Sequence, residues 1–324
     1  MRRTLGLNIL AALAALSANR AEADDAPAPA PAPKITIVRA APEPEATPAP
    51  APAAKPAAAP EVAAPHLSKQ ILAIVNAKDR TDDDRALDAG RKPGEMLAFF
   101  DIKPGMKVAE IGAGAGYTTE LLARAVGPKG KVYAQNPPAF LNSFLKTSWP
   151  ERLARPVNAN VVREDREFDS PFTDDVQDLD AIVIVALYHD IVWLGADRKA
   201  MNEALFKAVK PGGALFVIDS SAKEDSGVND AKTLHRIDEA VVLEEMEEAG
   251  FRFDRESGFL RNPNDARDWN SSPKAAAERR GTSDRFALKF LKPRHHPKKT
   301  ENSEKPEAPE KAAAAPAKSD DAKK

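Results

Sequence analysis

Lys107-Val108-Ala109-Glu110-Ile111-Gly112-Ala113-Gly114-Ala115-Gly116-Tyr117 is the stretch that decides the fold. Its first five residues read as a short apolar strand. The next five alternate glycine with alanine. Tyr117 to Val126 then has helical spacing, and Gly127 is placed to end the helix. A strand, a glycine loop and a helix N-terminus in direct succession make a site for an anionic or nucleotide ligand. Glycine allows the sharp turn and leaves no Cβ between the backbone and an approaching ligand. A tight turn with no ligand is the bland alternative, which three alternating glycines after a carboxylate disfavour.

Outward from this loop the pattern repeats. Lys131 to Gln135, Asn160 to Arg163, Asp180 to Leu187 and Ala214 to Asp219 read as further strands, the third of these apolar on both faces. Helical segments are expected over Asp197 to Val209 and Asp230 to Ala249, with two more, His66 to Val75 and Lys92 to Phe100, ahead of the first strand. Strands alternating with helices imply an α/β, doubly wound, mostly parallel sheet of the Rossmann-like kind. The end differs: Phe251 to Asp254 and Arg285 to Leu291 read as strands with no helix between them, so a closing hairpin with an antiparallel last strand is expected. Arg261 to Ser283 reads as a long polar loop.

Of 324 residues, only about 66–292 have the composition of a folded core. Met1 to Ala23 has Arg2 and Arg3, an apolar run and Ala21-Glu22-Ala23, the layout of a signal peptide cleaved before Asp24. An uncleaved anchor is the alternative. Residues 24–65 hold 12 of the 28 prolines and read as a disordered Ala/Pro-rich linker of extended polyproline character. Residues 293–324 read as a disordered Lys/Ala/Glu/Pro tail. These ends imply a periplasmic or secreted protein, with a cytoplasmic one as the alternative. No later segment has the length and apolarity of a transmembrane helix. With 47 basic and 49 acidic residues and a net charge of −2, no nucleic-acid partner is expected. The absence of cysteine excludes disulfides, a Cys nucleophile and thiolate metal sites. Five scattered histidines without a helical H-x-x-x-H motif imply no metal site, and His295-His296 in the tail is only a weak hint of one. Oligomeric state has no sequence signal.

Gly112, Gly114 and Gly116 give G-x-G-x-G, not the dinucleotide G-x-G-x-x-G, because Tyr117 stands at the third glycine's place; this disfavours a nicotinamide-dependent reductase. VAEIGAGAGY resembles the first motif of the class I S-adenosylmethionine-dependent methyltransferases. RKPGEML, GPKGKVYAQNPP, LYHDIVW, TLHRID and TSDRFALKF further resemble a group of bacterial methyltransferases, many with export signals. The resemblance implies a seven-stranded sheet with an antiparallel last strand and S-adenosylmethionine as cofactor. It also implies that Gly112, Gly114 and Gly116 pass beneath the cofactor, with Tyr117 beside them, and that Glu110 helps hold its amino group. Gln135-Asn136 stands where the family has an acid for the ribose hydroxyls, and Asp165 where it contacts adenine.

Ligands of open α/β sheets lie beyond the carboxyl ends of the strands. Tyr188, His189 and Asp190 follow the fourth strand directly, so His189 is a candidate general base, with Asp190 orienting it or capping the next helix. His235 and Asp238, three apart on an expected helix, share a face that would bring His235 to the cleft as a second polar group. Local hydrogen bonding of His189 and a surface ion pair at His235 or Arg236 are the bland alternatives. The related group carries a histidine after the strand-five aspartate; here Ser220 follows Asp219. Two readings follow: an exported methyltransferase acting on a small-molecule or envelope acceptor, or an exported binding module that keeps the fold without catalysis.

Overall fold

The computed structural model describes residues 67–294. The expected signal peptide, the linker, His66, nearly all of the tail and His295-His296 lie outside the described residues. Seven strands form one sheet: β1 Lys107–Ile111, β2 Lys131–Gln135, β3 Val161–Glu164, β4 Leu179–Val185, β5 Val209–Ser220, β6 Arg252–Glu256 and β7 Arg285–Leu291. Their order across the sheet is β3-β2-β1-β4-β5-β7-β6. The first five run parallel, and β7 inserts antiparallel between β5 and β6. The closing hairpin expected from the sequence is therefore present, and it is what makes the sheet mixed.

Alternation along the strands fills two cores. Val108, Val132, Ala181, Val183 and Phe216 face one side, Ala109, Ile182, Ile184, Leu215 and Val217 the other, and all ten are buried. A sheet covered on both faces has no polar side to present, which is why β4 reads as a continuous apolar run. The first side is covered by α1 Lys69–Val75, α3 Pro93–Phe100 and α4 Tyr117–Val126. The second is covered by α7 Tyr188–Leu194, α8 Arg198–Ala208 and α10 Glu239–Glu248. The remaining helices are α2 Asp82–Arg91, α5 Pro138–Leu141, α6 Ser148–Leu153, α9 Ala231–Leu234 and α11 Pro273–Ala276. Among the described residues no helix is long and apolar enough to cross a membrane.

Three elements differ from expectation. Helix α2 has one large apolar residue, Leu87, so hydrophobic periodicity misses it. Its N-cap Thr81 accepts the Asp84 amide hydrogen, and Asp82, Asp83 and Asp84 sit at its positive end. Pro211-Gly212-Gly213, between the helix expected to Val209 and the strand expected from Ala214, lies inside β5, which starts at Val209, and the register shift between Leu179 and Ala181 absorbs it. The single helix expected over Asp230 to Ala249 is broken: α9 stops at Leu234, His235 is left-handed at φ +52°, and Asp238 caps α10. Positions 235 and 238 thus share no helical face.

Candidate functional site

Between β1 and α4 the loop turns through Gly112, Gly114 and Gly116 at φ +63°, +57° and +83°. Only glycine takes such angles without strain. Their surroundings differ sharply. A Cβ on Gly112 would lie 2.2 Å from Leu187 Cδ2, and one on Gly116 would lie 2.8 Å from Arg152 Cγ and 2.9 Å from Trp149 Cζ3. A Cβ on Gly114 would meet nothing within 4 Å. The first and third glycines therefore pack against protein, whereas the middle one faces open space. Glu110 lies buried beneath, accepting the Thr119 hydroxyl hydrogen at 2.5 Å. Burial pushes its pKa up to about 7, against the opposing pull of Thr119 and the Arg91 guanidinium.

The loop is braced from both sides. Gln135 Oε1 accepts the Gly112 amide hydrogen at 2.9 Å, and its Nε2 donates to the Arg166 carbonyl at 2.5 Å. Asn136 Oδ1 accepts the Gly114 amide hydrogen at 2.8 Å, and its Nδ2 donates to the Gly114 carbonyl at 3.2 Å. Arg152 Nε donates to the Ala115 carbonyl at 3.1 Å. Both amides are fully buried and turned into the loop, where each braces one of its glycines. The amide chemistry has a local reason: each side chain must accept from an N–H and donate to a C=O at once. A carboxylate there would face a carbonyl oxygen with no proton to offer.

Tyr117 is also held elsewhere. Its hydroxyl donates to Asp88 on α2 at 2.7 Å, and its ring lies under the Arg80 and Arg91 guanidiniums, 5.7 and 4.5 Å from the centroid. It ties α2 to the start of α4. Asp165 is exposed and paired with Arg163 at 2.6 Å.

A second cluster forms where β4 and β5 end. Asp219, fully buried, accepts the Ser220 and His189 amide hydrogens at 2.8 and 3.0 Å and lies 2.7 Å from His189 Nδ1. His189 Nε2 and His235 Nδ1 are each 3.1 Å from Asp190 Oδ1. The Trp193 indole N–H donates to that same oxygen at 3.1 Å. Burial opposes charge on His189, but Asp219 and Asp190 outweigh it and raise its pKa to about 10. The same histidines hold Asp190 well below the usual carboxylate range, against its own burial. His189 is thus an imidazole held between two carboxylates, which make it more basic than a free ring.

His235 joins this cluster by the break between α9 and α10, not by a helix face. Ser271, in the long loop after β6, donates its hydroxyl to the His235 carbonyl at 2.6 Å and its amide to the Leu234 carbonyl at 2.9 Å. Next door Arg236 is fully buried, paired with Asp265 at 2.9 Å and stacked on Trp269 at 4.7 Å. The surface ion pair considered for this position is thus an interior one. Tyr188 is the residue the fold takes away: its hydroxyl donates to Glu245 at 2.5 Å and accepts from Asn202 at 2.7 Å, in the core under α8 and α10. The sequence reading expects no metal site, yet His189, Asp190 and His235 offer ligand atoms all within 4.8 Å of one another. It also leaves out of the site Asp219, which organises the second cluster, and Arg91, whose pKa burial pulls down over the Tyr117 ring. A strand ending in Asp was the available signal for Asp219, and the RKPGEML stretch, which begins at Arg91, was the one for Arg91.

Residues 73–137, from α1 through β2, match the family model for protein-L-isoaspartate(D-aspartate) O-methyltransferase. A protein-L-isoaspartate O-methyltransferase of Pyrococcus horikoshii is 34% identical over 124 residues, 38% of this chain and 48% of that one. A ubiquinone/menaquinone biosynthesis C-methyltransferase of Vibrio parahaemolyticus is 27% identical over 160 residues, 48% of this chain and 58% of that one. The chain thus spans less than two thirds of the length of either relative. A solved S-adenosylmethionine-dependent methyltransferase from Aquifex aeolicus matches 66% of this chain and all of its own, at 22% identity and a TM-score of 0.45. The strand order, the antiparallel β7 and the glycine loop after β1 occur together here. The architecture is the Rossmann-like seven-stranded sheet with an antiparallel strand that the resemblance to the class I S-adenosylmethionine-dependent methyltransferases implies.

The cofactor that the methyltransferase fold implies fits the loop at Gly114, where the missing Cβ leaves open space above a buried carboxylate. It does not find its usual ribose acid at Gln135 or Asn136, since both amides are engaged by the loop.

Proposed function

We propose that the protein is a methyltransferase that binds S-adenosylmethionine on the Gly112–Gly116 loop and methylates an acceptor held over the carboxyl ends of β4 and β5. The observation that carries this reading is the open face of Gly114 between two glycines packed against protein. When bound, the cofactor supplies a methyl group already activated by its sulfonium, so positioning contributes much of the rate. The chain's own part is to hold the loop rigid through Gln135, Asn136 and Arg152, with Glu110 buried on the strand that leads into it. His189, Asp190 and His235 form the polar wall on the acceptor side. The acceptor class is a small molecule or an envelope component, and the export reading of Met1 to Ala23 places the enzyme in the periplasm or outside the cell. Localising the full-length chain by cell fractionation tests that placement; a cytoplasmic chain that retains Met1 to Ala23 would remove it.

A second reading, an exported binding module without catalysis, is favoured by one observation: the amides at 135 and 136 leave the ribose without its charged partner. Calorimetric titration of the full chain with S-adenosylmethionine and S-adenosylhomocysteine separates the two. Micromolar binding of both is expected. No binding of either by folded protein would sink the methyltransferase reading and leave the module.

A further inference from the structure

The cluster at the ends of β4 and β5 has a geometry that methyl transfer as such does not require. Three side chains from two separated segments converge there. Asp190 Oδ1 stands 3.1 Å from both His189 Nε2 and His235 Nδ1, and all three ligand atoms fall within 4.8 Å of one another. Ions that bind imidazole and carboxylate do so at about 2.0–2.2 Å, so neighbouring ligand atoms around one four-coordinate ion lie about 3.3–3.6 Å apart. The observed nitrogen-to-oxygen spacings are a few tenths of an ångström shorter, so a small outward shift of the same three side chains admits an ion.

The surroundings prepare the same three atoms. Asp219 is fully buried and takes the Nδ1 side of His189 at 2.7 Å, which leaves Nε2 as the nitrogen directed at Asp190. A carboxylate behind a histidine in this way fixes ring orientation and tautomer in many metal centres. His235 is held in a left-handed conformation, φ +52°, and Ser271 locks its carbonyl at 2.6 Å. Trp193 orients Asp190 through its indole N–H at 3.1 Å. Each ligand is therefore positioned by a group that is not itself a ligand. We propose that His189, Asp190 and His235 bind a divalent transition-metal ion, with Asp219 as the positioning residue behind His189.

Two imidazoles and one carboxylate suit zinc, iron(II), cobalt(II) or nickel(II) and not calcium or magnesium, which take oxygen ligands. Coordination uses the unprotonated nitrogen, so any proton on His189 Nε2 leaves to solvent as the ion binds. Three protein ligands leave a position for water or for an oxygen of the acceptor, which the ion would polarise. Only that last role rests on the methyltransferase reading; the cation site does not.

The test is a cobalt(II) titration of the untagged full chain after chelator treatment, read by visible d–d absorption, with zinc(II) as competitor. It uses no cofactor, so its failure is distinct from a failure to bind S-adenosylmethionine. The expected result is one cobalt per chain, displaced by zinc, abolished in His235→Ala and weakened about 10- to 100-fold in Asp219→Asn. Binding should persist in His295→Ala/His296→Ala, which removes the adjacent pair in the tail. If His235→Ala fails to fold by circular dichroism, Asp190→Asn carries the same expectation. No absorption up to millimolar cobalt overturns the proposal. So does binding that survives His235→Ala and disappears with the tail histidines.

Discussion

Alanine at position 114 separates what the glycine loop needs in order to fold from what it needs in order to hold a ligand. Gly114 has φ +57°, so alanine there pays the left-handed penalty, about 1–2 kcal/mol. Its new Cβ meets no protein atom within 4 Å, and no packing loss adds to that penalty. Gly112→Ala carries the same backbone cost and also drives a Cβ to 2.2 Å from Leu187 Cδ2. Gly116→Ala presses on Trp149, fully buried, and on Arg152, whose guanidinium is tied to Asp84 and Glu120 at 2.6 and 2.7 Å. Overpacking adds about 1–3 kcal/mol at each of those two sites. Urea or thermal denaturation should therefore rank Gly114→Ala as the mildest of the three, with a melting point lowered by about 2–8 °C. Calorimetry with S-adenosylhomocysteine should rank it among the worst, with affinity lower by tenfold or more, because its Cβ enters the open space against that residue. Wild-type affinity in Gly114→Ala would show that no ligand lies against this residue. A stability loss as large as that of Gly112→Ala would show that the space above it is filled in solution.

Three further outcomes follow from the hydrogen bonds and charges. Glu110 has its pKa raised to about 7 from an unfolded value near 4.5, so its contribution to stability is full below about pH 4.5 and is lost as pH rises through 7, about 3 kcal/mol in all. Glu110→Gln should accordingly match the wild type at pH 5 and melt higher at pH 8; equal melting points at pH 8 would contradict the raised value. Asn136→Asp removes the donor to the Gly114 carbonyl and sets a carboxylate against it, so it should destabilise by about 1–3 kcal/mol and weaken cofactor binding. Tighter cofactor binding in this variant would return position 136 to the ribose. Tyr188→Phe leaves Glu245 paired with Arg198 but strips Asn202 of its acceptor, a loss of about 1–2 kcal/mol in chemical denaturation with methyl transfer unchanged. A fall in turnover at wild-type stability would restore Tyr188 to the active site.

The parallel half of the sheet was legible because each strand is a short apolar run beside a turn signal, and buried parallel strands carry little else. The hairpin was legible from the lack of a helix pattern between Asp254 and Arg285. Helix α2 was not, because it is specified by its cap and its acidic first turn and not by an apolar stripe. The break at His235 was hidden for the opposite reason: residues around it have acceptable helical spacing, and only the tertiary grip of Ser271 on the His235 and Leu234 carbonyls ends the helix there. At the site the glycines could be read and their neighbours could not. That Gln135 and Asn136 face the loop depends on carbonyl groups supplied by Arg166 and Gly114, which no linear pattern announces. The pairing of His189 with Asp219 spans thirty residues and exists only because β4 and β5 are neighbours in the sheet.

Left-handed backbone and buried charge meet at the ends of β4 and β5. Ala186, leaving β4, stands at φ +52°, and its amide is held by the Ile218 carbonyl at 2.7 Å. His235 stands at the same angle on the other side of the cluster. A non-glycine residue in this region costs about 1–2 kcal/mol, and neither position carries the glycine that would relieve it. Between them two carboxylates and two imidazoles sit largely out of solvent, an arrangement that stability alone does not favour, since apolar residues of the same volume would pack there without any charge to compensate. The glycine loop is the reverse case: its backbone angles are natural for glycine, and the space against Gly114 is open. The histidine cluster is oriented by Asp219, Ser271 and the left-handed turns, and an ion coordinated by His189, Asp190 and His235 would offset the carboxylate charge gathered there.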